Sequence, residues 1–547
     1  MTVFSGVVRY CHTIKYLKLI QIYGQFAIRL KKIKINSALP PAQRTPVLSW
    51  VESILKSPQL SIPHKLLFLN QERAISANTL WCDPNIDKLW RYNLHYFDVI
   101  NSVSHIHPEW CSQFIHRWIQ ENPPADGCGW ESYPISLRIV NWIKWILQGN
   151  QATEVLLHSL AIQARYLRQR LEIHLLGNHI LANAKALLFV GLFFKGQEAD
   201  NWFKKGFQLF NKELAEQVLP DGGHFELSPM YHSIILEDVL DVINLFKTYG
   251  KSVSAEWINR CEKMHVWLHY MCHTEGDISF FNDAALGVAP TLKEIKQYQK
   301  RLALKQPAPV NQMLMYFPDS GYCRIQKNNV LLLIDVGNIG AAYQPAHGHA
   351  DTLSFELSLG HQRLIVNSGT SCYAESAERL CQRSSQAHNV LTVDDQSSSQ
   401  VWKSFRVAKR ARVHDVKIQK VNDKVVVSAC HDGYCAVDKI YHTRIWTVTP
   451  NVLLLEDKVS GKGFHKVTCH FHLHPQIELI KKNDSVVELY DKQSKKFLAF
   501  FEFDQASNII ESAYHPQFNV SVPNKKIVVE VYQCLPILLK TYIKFNG

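Results

Sequence analysis

With 547 residues, 46% hydrophobic and 20% charged, the chain is too long for one hydrophobic core and too apolar for a disordered one, so two globular domains are expected. The net charge of +12, from 60 Lys and Arg against 48 Asp and Glu, favours acidic partners but is modest for this length, and no nucleic-acid partner is expected. Thirteen Cys residues without a CxxC pair exclude a zinc ribbon and a patterned disulfide scaffold, and they read as reduced, mostly buried thiols.

Residues 1–40 form a basic N-terminal segment. Over residues 1–34 there are seven Lys or Arg and no acid, with Ile14, Leu17, Ile20, Ile22 and Ile28 among the apolar positions. This predicts an amphipathic helix that packs on the fold or makes peripheral contact with acidic lipid. No compact apolar stretch precedes a small-residue cleavage site, so no signal peptide is visible and a cytoplasmic location is expected. No apolar run reaches the ~20 residues of a membrane-spanning helix.

Residues 41–306 read as helical. Ile135, Leu137, Ile139, Val140, Trp142, Ile143 and Ile146 give a broad apolar helix face. Further helices are predicted over 153–171, 179–195, 198–218, 229–248, 255–273 and 291–304, a number that suits a solenoid, bundle or toroid. Eleven of the 13 Trp lie before residue 310. Trp130, in the loop Asp126-Gly127-Cys128-Gly129-Trp130, is a candidate for stacking on a sugar ring.

Gln306-Pro307-Ala308-Pro309 breaks the helical register, and over 315–547 the period becomes two. Val330–Asp335, Leu353–Leu359, Val425–Ala429 and Asn451–Glu456 are short β-rich runs separated by turn residues, the pattern of an antiparallel sandwich.

Four strings carry candidate chemistry. Gly177-Asn178-His179 opens an apolar helix; alone it reads equally as an N-cap and an exposed first-turn His. In Glu226-Leu227-Ser228-Pro229-Met230-Tyr231, Ser228 reads as N-cap and Pro229 as N1, so Tyr231 falls in the first turn. There the helix dipole should lower its pKa from about 10. His347-Gly348-His349-Ala350-Asp351 precedes a strand and places two His on one side of an extended segment. His388-Asn389 precedes another strand and is a candidate metal ligand.

The order of these strings, with the change of period between the second and third, resembles the heparinase II/III-like polysaccharide lyases. The resemblance runs from roughly Trp90 to Val413 and is most specific in HGHADTLSFELSLG, LIVNSGTSCY, RSSQAHNVLTVDD and VWKSFRVAKRARV. It implies an N-terminal (α/α) toroid followed by a C-terminal antiparallel β-sandwich, with the active site between them and the periplasm as the alternative location. It implies a uronate-containing acidic glycan as substrate, cleaved by β-elimination. Asn178 and His179 match the pair that meets the substrate carboxylate, Tyr231 the acid/base Tyr, and His347 the catalytic His of the second domain. Arg138 and Glu226 are expected in the cleft without an assigned role. A structural zinc ion in the sandwich is implied through His349 and His388, although Asn367 stands where the family carries an acidic ligand, and an amide is the poorer zinc ligand. Two other functions fit the same outline. One is a non-catalytic glycan-binding or assembly factor in surface-polysaccharide biosynthesis. The other is a toroid-type glycoside hydrolase, which needs two carboxylates roughly 5–10 Å apart; Asp221 and Glu226 are the tempting pair.

Overall fold

A computed structural model describes residues 2–56, 60–62, 65–74, 81–102, 108–307, 312–434 and 439–545. Two helices, α1 (Thr2–Ile14) and α2 (Leu19–Leu30), precede the main body. The toroid is built from α3 (Lys88–Tyr96), α4 (Pro108–Glu121), α5 (Ser132–Leu147), α6 (Glu154–Gln169), α7 (Gly177–Phe193), α8 (Gln197–Gln217), α9 (Pro229–Thr248), α10 (Ala255–Tyr270) and α11 (Leu292–Arg301). The predicted helices agree with these to within a few residues at each end. One feature escaped the sequence: a small antiparallel sheet of Leu60–Ile62, Lys65–Phe68 and Gln71–Ala74. Strands of three or four residues are too short to show a period.

Helix α7 is apolar almost all round because it is buried almost all round. It packs closely on α8 through two glycines. A Cβ on Gly191 would lie 2.5 Å from the Phe203 backbone nitrogen, and one on Gly206 would lie 2.8 Å from that of Leu188. The Trp excess of the first half is spent on this core: Trp81, Trp90, Trp118, Trp142 and Trp257 are all buried in it.

From Leu314 onward the chain is a β-sandwich. A five-stranded antiparallel sheet (residues 314–365) and a four-stranded one containing Leu391–Val393 and Phe464–His472 are joined by an eight-stranded sheet that starts at Val413. Val425, Val427 and Ala429 point inward at period two into a core with Leu332, Phe355, Trp446 and Phe501. The breaker at Gln306–Pro307 lies between α11 and the first strand, while Ala308 and Pro309 fall outside the described residues.

The two halves are locked by buried polar contacts. His273 Nε2 lies 2.7 Å from Glu356 Oε2, Trp267 Nε1 donates to Ser320 Oγ (2.9 Å), and Arg379 Nη2 donates to Asp283 Oδ2 (2.7 Å). A cavity of about 1170 Å³ opens along this seam, lined by α5, α7 and α9 on one side and by residues 343–347, 373–375 and 403–407 on the other. Among the described residues no helix is long and apolar enough to cross a membrane.

Candidate active site

The chain enters α7 through Leu176 and Gly177, both at positive φ (61° and 59°). A Cβ on Gly177 would come within 3.0 Å of Glu226 Oε1, so glycine is what allows this turn to approach the carboxylate. Leu176 occupies the N-cap position, which places Asn178 inside the first turn instead of capping it. The Asn178 backbone N–H donates to Glu226 Oε1 (3.2 Å), while its Oδ1 is buried without a partner and its side chain lines the cavity. His179 Nδ1 lies 3.1 Å from Glu172 Oε1, and its ring packs 4.6 Å from that of Tyr133. Burial opposes a charge on His179, but the Glu172 and Glu226 carboxylates outweigh it and raise the imidazole pKa above the usual 6.5.

Helix α9 starts as predicted. Ser228 Oγ accepts from the Tyr231 N–H (3.1 Å) and Pro229 is the first helical residue. The expected depression of the Tyr231 pKa is not found. Burial, the neighbouring Tyr373 and the Asp283 carboxylate push the phenol well above 10, so its desolvation overrides the helix dipole. The Tyr231 ring stacks on His347 with centroids 3.8 Å apart and an angle of 16°, and the Tyr231 and Tyr373 hydroxyls are 3.0 Å apart. His347 Nδ1–H donates to Glu226 Oε2 in a short contact, and this imidazole outweighs burial to keep the Glu226 carboxyl below its ordinary pKa. With Nδ1 so held, Nε2 is the ring nitrogen without a partner among the described residues.

The two His of His347-Gly348-His349 do not share a side. The segment is a turn, not a strand, so His347 reaches Glu226 and Tyr231 while His349 points into the sandwich. His349 Nε2 lies 2.8 Å from Asp283 Oδ1, and its Nδ1 lies 3.2 Å from His388 Nε2. His388 Nδ1 in turn lies 3.0 Å from the Asn367 amide, whose Nδ2 is the atom left unpaired. These residues do not fit a structural zinc ion. Two imidazole nitrogens face each other, but Asp283 is held by Arg379 and the far nitrogen of His349, and among the described residues no group of three or more His, Cys, Asp or Glu is placed to hold a metal. Turning the Asn367 amide over would give His388 Nδ1 a donor, at the cost of the bond that Asn367 Oδ1 accepts from Ser354 Oγ (2.6 Å). Protons would then run one way, from Asn367 Nδ2 through His388 and His349 to Asp283, with every imidazole neutral. Burial keeps His349 neutral too, pulling its pKa down to about 4. A second array inside the sandwich repeats the pattern: the Gly433 N–H donates to His431 Nδ1 (3.0 Å), His431 Nε2 meets His442 Nδ1 (3.2 Å), and His442 Nε2 meets Asp457 Oδ1 (2.6 Å).

Asn178, His179, Tyr231 and His347 thus converge on one cavity. Three other expectations move. Trp130 is core, its Nε1 donating to the Asn122 carbonyl (3.2 Å) and its ring against Trp118 and Tyr166, because the loop that carries it folds inward under α5. Arg138 is fully buried, not in the cleft: its guanidinium donates to Gln163 Oε1 (2.9 Å) and the Gly129 carbonyl (2.9 Å) and lies 3.8 Å over the Trp118 ring. Glu226 is sealed behind Asn178 and His347 and does not line the cavity. Asp221 accepts from Gly223 N–H (2.9 Å) and Ser320 N–H (2.7 Å) as a turn residue and does not line the cavity, so the Asp221–Glu226 pair is not formed there. The sequence reading missed Glu172, Tyr373, Asp283 and Arg379. Tyr373 lies in the LIVNSGTSCY string, while nothing in the sequence around Asp283 marks it as a buried carboxylate or pairs it with Arg379.

Comparison with known proteins places the fold. Residues 99–320 match the family model "Heparinase II/III N-terminus" and residues 309–535 match "Heparinase II/III-like, C-terminal". The heparin-sulfate lyase of Bacteroides stercoris is 27% identical over 249 residues, covering 41% of this chain and 36% of that protein. The chain spans between a third and a half of the length of the curated relatives it matches. A crystal structure of heparinase III superposes with a TM-score of 0.67 at 16% identity, covering 83% of this chain and 77% of the other. The chondroitin AC lyase of Streptomyces coelicolor A3, in complex with chondroitin sulphate, superposes with a TM-score of 0.54 at 8% identity, covering 90% and 77%. At such identities the superpositions establish the toroid-plus-sandwich fold, and the two family models between them span most of the sequence: the chain belongs to the heparinase II/III-like family.

Proposed function

We propose that this protein is a polysaccharide lyase that cleaves a uronate-containing acidic glycan by β-elimination. The observation that carries the reading is the stacking of Tyr231 on His347 across one cavity from Asn178 and His179. Elimination breaks the C5–H and C4–O4 bonds of the uronate and forms a C4=C5 double bond; the C5 proton goes to a base and O4 leaves with a proton from an acid. The C5 proton becomes acidic enough only when charge growing on the carboxylate is met by donors. Asn178, whose amide lines the cavity, and His179, held towards its charged form, suit that task. His347 Nε2, with its partner nitrogen fixed by Glu226, suits proton acceptance. Tyr231, a phenol that stays protonated, suits donation to O4, and Tyr373 is placed to restore its proton.

The acidic substrate is supported by the mouth of the cavity. Lys403 and Arg406 line it, and neither has a carboxylate partner among the described residues. The relatives named for heparin sulfate and the structural neighbour bound to chondroitin sulphate favour a glycosaminoglycan-like chain as the first substrate to test. The deciding experiment incubates the protein with a panel of acidic polysaccharides and follows absorbance near ~230 nm, where the unsaturated uronate product absorbs. Growth of that band with at least one polymer, lost in Tyr231→Phe, supports the lyase. Tight binding of a polymer with no product would instead make the protein a non-catalytic glycan-binding factor.

A further inference from the structure

Helices α1 and α2 are built inside out. A helix on a soluble protein buries its apolar stripe and exposes its polar one. Here the positions turned inward are Thr13, Gln21 and Gly24, which are buried. Thr13 Oγ1 accepts from Trp402 Nε1 (3.2 Å), and Gln21 Nε2 donates to the carbonyls of Leu175 (3.3 Å) and Tyr343 (3.3 Å). The positions turned outward are Val7, Ile14, Leu19, Ile20, Tyr23, Phe26 and Leu30, with Leu19 84%, Leu30 79% and Phe26 60% exposed. Nine of the twenty-five large apolar side chains exposed among the described residues lie on these two helices. So dense a cluster marks an interaction surface and not ordinary surface scatter.

Charge says what covers it. The chain has no acid before Glu52, while Lys15, Arg29, Lys31, Lys32 and Lys34 are exposed around the apolar face. Two copies meeting through this face would press cation on cation with no acid between them. The helices have 13 and 12 residues, too short to span a bilayer. Apolar side chains ringed by Lys and Arg, with Tyr23, whose polar tip suits the headgroup level, match the surface of an anionic bilayer.

We propose that α1 and α2 dock the protein on anionic lipid surfaces and, by their place in the fold, hold the cleft against the membrane. They strap the seam: α1 packs on Trp402 of the sandwich, while Lys18 of the α1–α2 turn pairs with Glu216 of α8 and Gly24 of α2 abuts His174 ahead of α7. Thr13, Leu17, Gln21 and Gln25 line the same cavity as Tyr231. A polymer reaching that cavity is therefore one held close to the bilayer, such as a chain still attached to it.

The test is flotation of the full chain with vesicles of phosphatidylcholine alone or mixed with phosphatidylglycerol. Binding is expected on the mixed vesicles and should fall as salt rises. Each of Lys15→Gln, Arg29→Gln and Lys32→Gln should lower partitioning about fivefold. The double variant Leu19→Asp/Phe26→Asp should abolish it while melting at the parent temperature, since both side chains are exposed. No flotation with the mixed vesicles, or flotation that these variants leave intact, overturns the proposal. So does a dimer in solution that Leu19→Asp/Phe26→Asp dissociates, which would assign the face to a second copy. None of these readouts depends on glycan cleavage, so the lyase reading stands or falls separately.

Discussion

Tyr231 is a phenol stacked at 3.8 Å on an imidazole, with one hydroxyl contact to another Tyr. Tyr231→Phe keeps the ring and its packing, and removes only that contact. Loss of one acid/base group costs about 10²–10⁴ in rate, against about 1 kcal/mol of stability for one hydrogen bond. The variant is expected to melt within a few degrees of the parent and to bind polymer, yet turn it over at least a hundredfold more slowly (~10²). Near-parental turnover would leave His179 and His347 to move the proton between them. His179 gives a pH prediction. Its folded pKa is raised above 6.5 by Glu172, so the pair stabilises the fold fully below pH about 6.5 and the contribution is lost as pH climbs through the folded value. Glu172→Gln should lower the His179 pKa measured by NMR titration and draw the alkaline limb of kcat/KM to lower pH. An unmoved limb would show that the charge on His179 is not used. For His349 and His388, metal analysis should find zinc far below one equivalent, and chelation should leave the melting temperature where it was. That Asn178, His179, Tyr231 and His347 share one cavity could be anticipated because each sits in a string whose neighbours are distinctive. Trp130 and Arg138 were misplaced because residue type alone does not tell which way a loop or a helix face turns.

Helices were the most legible elements. Their apolar stripes repeat over three or more turns, and α9 even shows its Ser-Pro start in the sequence. The sheet at 60–74 was not legible, since its strands end before a period can establish itself. Nor was the α7–α8 contact, because an apolar helix with two glycines looks the same whether or not a neighbour approaches. That contact is testable. Gly191→Ala would put a methyl 2.5 Å from the Phe203 backbone nitrogen, where no side chain can give way. Overpacking of this kind costs about 1–3 kcal/mol, so the melting temperature should fall clearly while residual activity per folded molecule is kept. A neutral result would mean that α8 can slide outward at no cost.

At the scale of the molecule, the helix-then-strand order was plain from the change of period near Pro307, but the seam between the halves was not. It is made of pairs such as Asp283–Arg379 and His273–Glu356, whose members lie 96 and 83 residues apart and carry no mutual signal in one sequence. Both pairs are buried, and removing one partner of such a pair costs about 3–5 kcal/mol. Arg379→Ala should therefore lower stability sharply. Calorimetry of the parent should show one transition in place of two, because neither half can expose this seam cheaply.

Tyr231 belongs to the helical half and His347 to the half that follows it. Ribosomes deliver the helices first, and domains fold largely in the order in which they emerge. A chain caught midway through synthesis holds the phenol, the amide and one imidazole, yet lacks the stacked partner that completes the set. The stacked pair of Tyr231 and His347 therefore exists only once both halves have folded against each other across the seam.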